Sequence, residues 1–169
     1  GLVGTALKRY TKTNDMTFVS TSDYDLRDTI DTHAMIKDVR PDAILHLAAK
    51  VGGVKGNIDY VADYYYDNIM INTNVLNSAK NFKIPRVISV LSTCIYPDHT
   101  PYPLSPERIH DGRPHSSNFG YAYAKRMLDV HTRAIRQQYG LKYNTVVPNN
   151  LFGENDNFDL ENSHVIPAI

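Results

Sequence analysis

The chain has 169 residues, with 18 basic and 18 acidic side chains and 42% hydrophobic residue types. That length supports one domain with a sizeable core, and formal neutrality argues against a nucleic-acid binder, which needs a basic surplus. No stretch approaches the roughly 20 consecutive apolar residues of a membrane helix, and Cys94, the single cysteine, excludes an internal disulfide framework and fits a reducing, cytosolic compartment.

In chain order, residues 2–10 read as a helix and residues 17–20 as a strand closed by the polar turn Thr21, Ser22 and Asp23. Residues 28–39 place Ile30, Ala34, Ile36 and Val39 near helical spacing, and residues 42–47 form an apolar strand. A long helix is expected over about 59–81, ending before Ile84 and Pro85, followed by a buried-type strand over 86–91. Prolines break up residues 97–118, so these read as an irregular loop. A helix over 119–139 stops at Gly140, a strand covers 142–147, and residues 149–169 are polar and loop-like.

Strands alternating with helices predict an α/β fold, a doubly wound parallel sheet of Rossmann-like type with four strands. Such a sheet opens with a strand that feeds a glycine-rich turn, and Gly1 already belongs to that turn. The expectation is therefore an incomplete domain over 1–169. Its first strand is missing, residues 149–169 enter a substrate-binding region, and the C-terminal substrate domain is largely absent. Losing a central strand removes ladder partners, so the 169 residues alone are expected to fold poorly and to be inactive.

Gly1, Leu2, Val3 and Gly4 match the end of a G-x-x-G-x-x-G turn ahead of an apolar helix. Glycine there lets a pyrophosphate approach the free amides of a helix N-terminus. After the second predicted strand, Asp23 or Asp25 can accept a ribose hydroxyl, while Thr21 and Ser22 are small enough to leave room for a 2′-phosphate. Arg27 is the nearest cation, and the residues leave NADP against NAD open. Ala48 lies in a run of small residues at a strand end, where a cofactor can cross the sheet.

Tyr121 and Lys125 stand one helical turn apart, on one face. A phenol exchanges protons too reluctantly at neutral pH, and an adjacent ammonium is expected to lower its pKa. Tyr123 has Met127 at the matching position and is expected to pack. Ser92 follows the strand over 86–91 at the carboxyl end, where open α/β sheets hold their sites. Its hydroxyl can bind the carbonyl that the tyrosine protonates. These residues together predict a dehydrogenase-type enzyme.

Residues 92–97, 118–125 and 156–167, with 48–53 and 148–153, resemble the GDP-L-fucose synthase family of extended short-chain dehydrogenases/reductases, within the NAD-dependent epimerases and dehydratases. The resemblance runs end to end and implies 3,5-epimerisation and 4-reduction of GDP-4-keto-6-deoxy-D-mannose with NADPH. It implies Cys94 and His164 as the acid–base pair of the epimerisation, and Tyr121, supported by Lys125 and Ser92, as proton donor in the reduction. It also implies that NADP(H) is lined by Gly1, Leu2, Val3, Gly4, Thr21, Asp25, Leu26, Ala48, Val90, Leu91, Ser92, Thr93, Tyr121, Lys125, Pro148, Asn149, Asn150, Leu151 and His164. Asn149 departs from the threonine that many relatives carry. A GDP-sugar substrate and a homodimer through the helices over 59–81 and 119–139 follow from the same resemblance, with no metal, nucleic acid or membrane partner. Two alternatives stay open: another nucleotide-sugar epimerase or dehydratase, and a non-catalytic nucleotide-binding fragment.

Overall fold

The structure, a computed structural model, describes residues 1–11, 15–156 and 158. In chain order the elements are α1 (Leu2–Tyr10), α2 (Thr29–Val39), β1 (Ala43–His46), α3 (Val54–Asp59), α4 (Val61–Asn81), β2 (Arg86–Val90), α5 (Phe119–Tyr139) and β3 (Lys142–Val146). The strands form one parallel sheet in the order β1-β2-β3. Parallel neighbours require a crossover, supplied here by α3 and α4 between β1 and β2, and by α5 between β2 and β3.

The expected parallel α/β architecture is present, with two differences. Residues 17–20 form no strand: they pair with no neighbour among the described residues, and Phe18 and Val19 are exposed. A parallel strand exists only through ladder bonds to a neighbour, and the ladder of this sheet begins at β1. The sheet therefore has three strands among the described residues, where the alternation predicts four. The helix expected over about 59–81 is present as α4, but a short helix not expected from the sequence, α3, precedes it and is separated from it at Tyr60, which leaves helical geometry (φ −123°, ψ 40°).

Local chemistry explains most boundaries. The Asp28 side chain caps α2 by accepting from the amides of Ile30 (2.7 Å) and Asp31 (2.9 Å). Gly140 ends α5 at φ +69°, a left-handed conformation that a side chain disfavours. Pleating then divides the sheet. Ile44, Val87 and Tyr143 share one row and His46, Ser89 and Thr145 the next, both facing the helical layer. There Met35 and Ile36 of α2, Leu76 and Ala79 of α4, and Leu128 and Ile135 of α5 close the core with Val87 and Tyr143. On the opposite face, Leu45, Ile88 and Val146 are 36–46% exposed among the described residues.

The close packing of α4 on α5 positions the site. At Gly120 a Cβ would stand 2.7 Å from the Val61 carbonyl oxygen and 3.5 Å from the Cβ of Tyr65. Only a residue without a side chain lets α5 begin so near α4, and that start sets the position of Tyr121.

Candidate active site

β2 delivers the chain to the carboxyl edge of the sheet. The Leu91 amide still reaches across to the Val146 carbonyl (2.8 Å), and Ser92 then leaves the sheet and precedes a single 3-10 turn, Thr93–Ile95, which carries a half-buried Cys94. Facing this turn, α5 presents Tyr121 and Lys125 from successive turns. Lys125 is 3% exposed; its Nζ donates to the Val90 carbonyl at 3.0 Å and lies 5.9 Å from the centre of the Tyr121 ring. Ser92, Cys94, Tyr121 and Lys125, distant in the chain, thus converge at one strand end.

Their protonation reflects a contest between burial and charge. Burial brings the Lys125 ammonium down to about 8, and a thiolate at Cys94 works against that fall. Burial pushes the Cys94 thiol up, while the Ser92 hydroxyl, Lys125, its own backbone and Arg126 favour the thiolate. Tyr121 departs from the sequence expectation. Its phenol is pushed well above the usual range, first by burial and then by the charge of Cys94. The ammonium stands over the ring and bonds a backbone carbonyl, so desolvation prevails. Tyr121 is therefore fully protonated at neutral pH, the form that can give up a proton.

Several supporting residues escape sequence reasoning. His46, which has no role in the sequence argument, is buried, and its Nε2 meets Oδ1 of Asn72 at 3.0 Å. The Asn72 amide nitrogen also reaches the Ala124 carbonyl at 3.5 Å, joining β1, α4 and α5 beside Lys125. Burial and the Lys125 charge bring the His46 imidazole down to about 4. One turn earlier on α4, Asn68 accepts from the Lys50 amide (3.1 Å) and donates to the Lys50 carbonyl (2.9 Å). That pair fixes the chain just past Ala48, and Lys50 Nζ bonds Asp67 at 2.7 Å. The readable signal is Asn68 and Asn72 at i and i+4, polar groups on a helix face that the fold buries.

The residues expected to line a dinucleotide fall into three groups. Gly1 is the N-cap of α1, whose first turn contains Leu2, Val3 and Gly4 and has neither a side-chain cap nor an acidic residue. A Cβ at Gly1 or Gly4 would meet nothing within 4 Å among the described residues. α1 touches the segment after β3 through Arg9 with Glu154 and through Leu2, 3.9 Å from the Cβ position of Gly153. In the second group, Asp25 is gripped by Arg27 through paired bonds (3.0 and 2.7 Å), which hold its carboxyl at about 2. Arg27 also lies 3.7 Å from Asp67, so the one basic candidate near Thr21 is already engaged by two carboxylates. The Leu26 carbonyl accepts from Asn74 (3.0 Å). In the third group, Thr93, Asn149 and Asn150 line an open cavity of about 850 Å³ with Tyr96, Thr145 and Arg133. Pro148 and Leu151 flank those asparagines, Val90 ends β2 and Leu91 follows it. His164 lies outside the described residues.

Comparison with known proteins bears on this arrangement. The NAD dependent epimerase/dehydratase family matches residues 1–169. The chain belongs to that family. Over 174 aligned positions this family member is 44% identical to GDP-L-fucose synthase of Dictyostelium discoideum, covering all of this chain and 54% of the relative. It is 33% identical to GDP-L-fucose synthase of Escherichia coli (strain K12), again over all of this chain and 54% of the relative. A crystal structure of a GDP-L-fucose synthetase from Naegleria fowleri bound to NADP superimposes with a TM-score of 0.89 at 39% identity, covering 99% of this chain and 56% of that one. The chain spans about half the length of the curated relatives it matches.

Proposed function

We propose that the protein epimerises GDP-4-keto-6-deoxy-D-mannose at C3 and C5 and reduces it at C4, forming GDP-L-fucose. The observation that carries this reading is the thiol of Cys94 beside Tyr121 and Lys125, a third proton-transfer group at a reductase-type pair. Sequence identity to the two GDP-L-fucose synthases supports it.

A dinucleotide pyrophosphate lies at Gly1, Leu2, Val3 and Gly4, at the N-terminus of α1, with Thr21, Asp25 and Leu26 toward the adenosine end and Ala48 where the cofactor crosses the sheet. The likeness to a protein bound to NADP favours NADP(H) as that dinucleotide. When bound, NADPH supplies the hydride that reaches C4. Tyr121, kept protonated by burial, delivers its phenolic proton to the C4 oxygen as negative charge develops there. Ser92 donates a hydrogen bond to the same oxygen, and Lys125, with a proton labile near pH 8, restores the phenol.

Each epimerisation removes a proton from a carbon beside the ketone and returns one on the opposite face. Ser92 and Tyr121 stabilise the enolate oxygen, and Cys94 and His164 exchange the two protons. The residue roles, including those of Pro148, Asn149, Asn150 and Leu151 along the cofactor, rest on the family resemblance. The same reading includes a homodimer through α4 and α5, whose Tyr65, Tyr66, Met127 and Val130 are exposed, and a cytoplasmic location.

The test is incubation of the full-length protein with the keto sugar in D₂O, with and without NADPH. Deuterium should enter C3 and C5 without the reductant, and C94S should lose that incorporation. Intact incorporation in C94S refutes the reading.

A further inference from the structure

Arg126 is a charged residue that the mechanism above does not use, yet it is only 4% exposed. It follows Lys125 on α5 and turns toward the loops. Its Nε donates to the Ile95 carbonyl and its Nη1 to the Gly112 carbonyl, both at 2.6 Å. Its guanidinium carbon stands 5.4 Å from the centre of the Tyr123 ring, and Nη2 is buried without an acceptor among the described residues. Ile95 closes the 3-10 turn that holds Cys94, and Gly112 belongs to the proline-rich loop. One planar cation therefore ties the thiol's turn and the following loop to the helix that carries Tyr121 and Lys125.

We propose that Arg126 is a positioning residue for Cys94: it anchors the turn that holds the thiol to α5 through two backbone carbonyls from different segments. Geometry and charge act in one direction here. A guanidinium donates from several nitrogens in a fixed plane, so it can hold two carbonyls from different segments as an ammonium cannot. Burial also leaves little solvent to screen its charge. Among the described residues, the charged and titratable groups facing Cys94 are Lys125, Arg126 and Tyr121 from α5, with the Ser92 hydroxyl from the start of its own turn. Lys125 and Arg126 both favour the thiolate against burial. The inference rests on the functional reading only where it touches epimerisation; the effect on the thiol stands apart from it.

The experiment is alkylation of Cys94 in the full-length protein by iodoacetamide across pH, followed by peptide mass spectrometry. R126Q removes the charge, and its alkylation midpoint should rise by about one pH unit, with a roughly tenfold slower rate at a fixed pH below it. R126K keeps the charge, but its ammonium holds at most one of the two carbonyls, so its midpoint should rise by about half as much as that of R126Q. Far-ultraviolet dichroism checks folding, and if R126Q does not fold, R126K against the parent decides. A folded R126Q with the parental midpoint overturns the proposal, as does a folded R126K whose midpoint equals that of the parent. In the D₂O assay R126Q should slow deuterium entry at C3 and C5 about tenfold. If C94S leaves deuterium entry intact, the functional reading fails while the alkylation profile still judges Arg126.

Discussion

The strand-end cluster and the N-terminal segment are built on opposite plans. Around Ser92, Cys94, Tyr121 and Lys125 the polar groups are buried or half-buried, and their partners come from distant parts of the chain: Val90 for Lys125, Asn72 for His46, Ile95 and Gly112 for Arg126. In residues 20–27 the groups are mostly exposed and many bind close sequence neighbours, Ser20 with Asp23 and Asp25 with Arg27. Burial decides protonation in the first region, local hydrogen bonds in the second. The cluster needs a tertiary fold to exist, whereas the N-terminal turn can form from its own residues.

The sharpest way to break this contrast is Y121F in the full-length protein. Loss of the protonated phenol should lower kcat for ketone reduction by about 10²- to 10⁴-fold, with a small change in KM, measured by NADPH oxidation. A drop of less than about threefold would remove Tyr121 from the chemistry. Deuterium entry at C3 and C5 should fall less than reduction, since the enolate takes only a hydrogen bond from the phenol, which Ser92 also supplies, while reduction consumes its proton.

The next effect concerns stability. His46 is held near 4 in the fold against about 6.5 when unfolded, so between those values the unfolded chain binds a proton that the native chain does not. Its contribution is complete above pH 6.5 and is lost as pH falls toward 4, a difference of about 3 kcal/mol. Urea unfolding at pH 7 and pH 4.5 should show that loss in the parent and a smaller one in H46Q. Equal slopes would mean that the imidazole is not buried beside Lys125.

The smallest effect belongs to the N-terminal region. D25A frees Arg27 from its bidentate partner but leaves the strand-end cluster untouched. The KM for NADPH should change by about two- to tenfold while kcat stays near the parental value, because a ground-state contact alone is altered. A kcat falling in parallel would join the two regions and end the distinction drawn between them.

Much of this molecule is readable from residue order. The short strands at 43–46, 86–90 and 142–146 lie within the runs read as strands, and the helices over 29–39 and 119–139 carry their own start and stop chemistry in Asp28 and Gly140. Tyr121 and Lys125 need only the helical repeat to share a face, and Ser92 needs only its place after a strand. Residues 17–20 mislead for an equally physical reason: β-propensity describes a half-buried pleated surface, and no ladder partner among the described residues supplies one.

Packing alone decided the rest. That Lys125 bonds a carbonyl, that Tyr121 holds its proton more tightly, and that His46, Asn72 and Arg126 become buried struts all depend on how α4 and α5 close over the ends of β1 and β2. Desolvation and hydrogen bonding are properties of surroundings assembled from distant segments, and no local run of residues carries that information. Side-chain type and spacing specify which groups are available; the dielectric and the partners around them come only with the folded core.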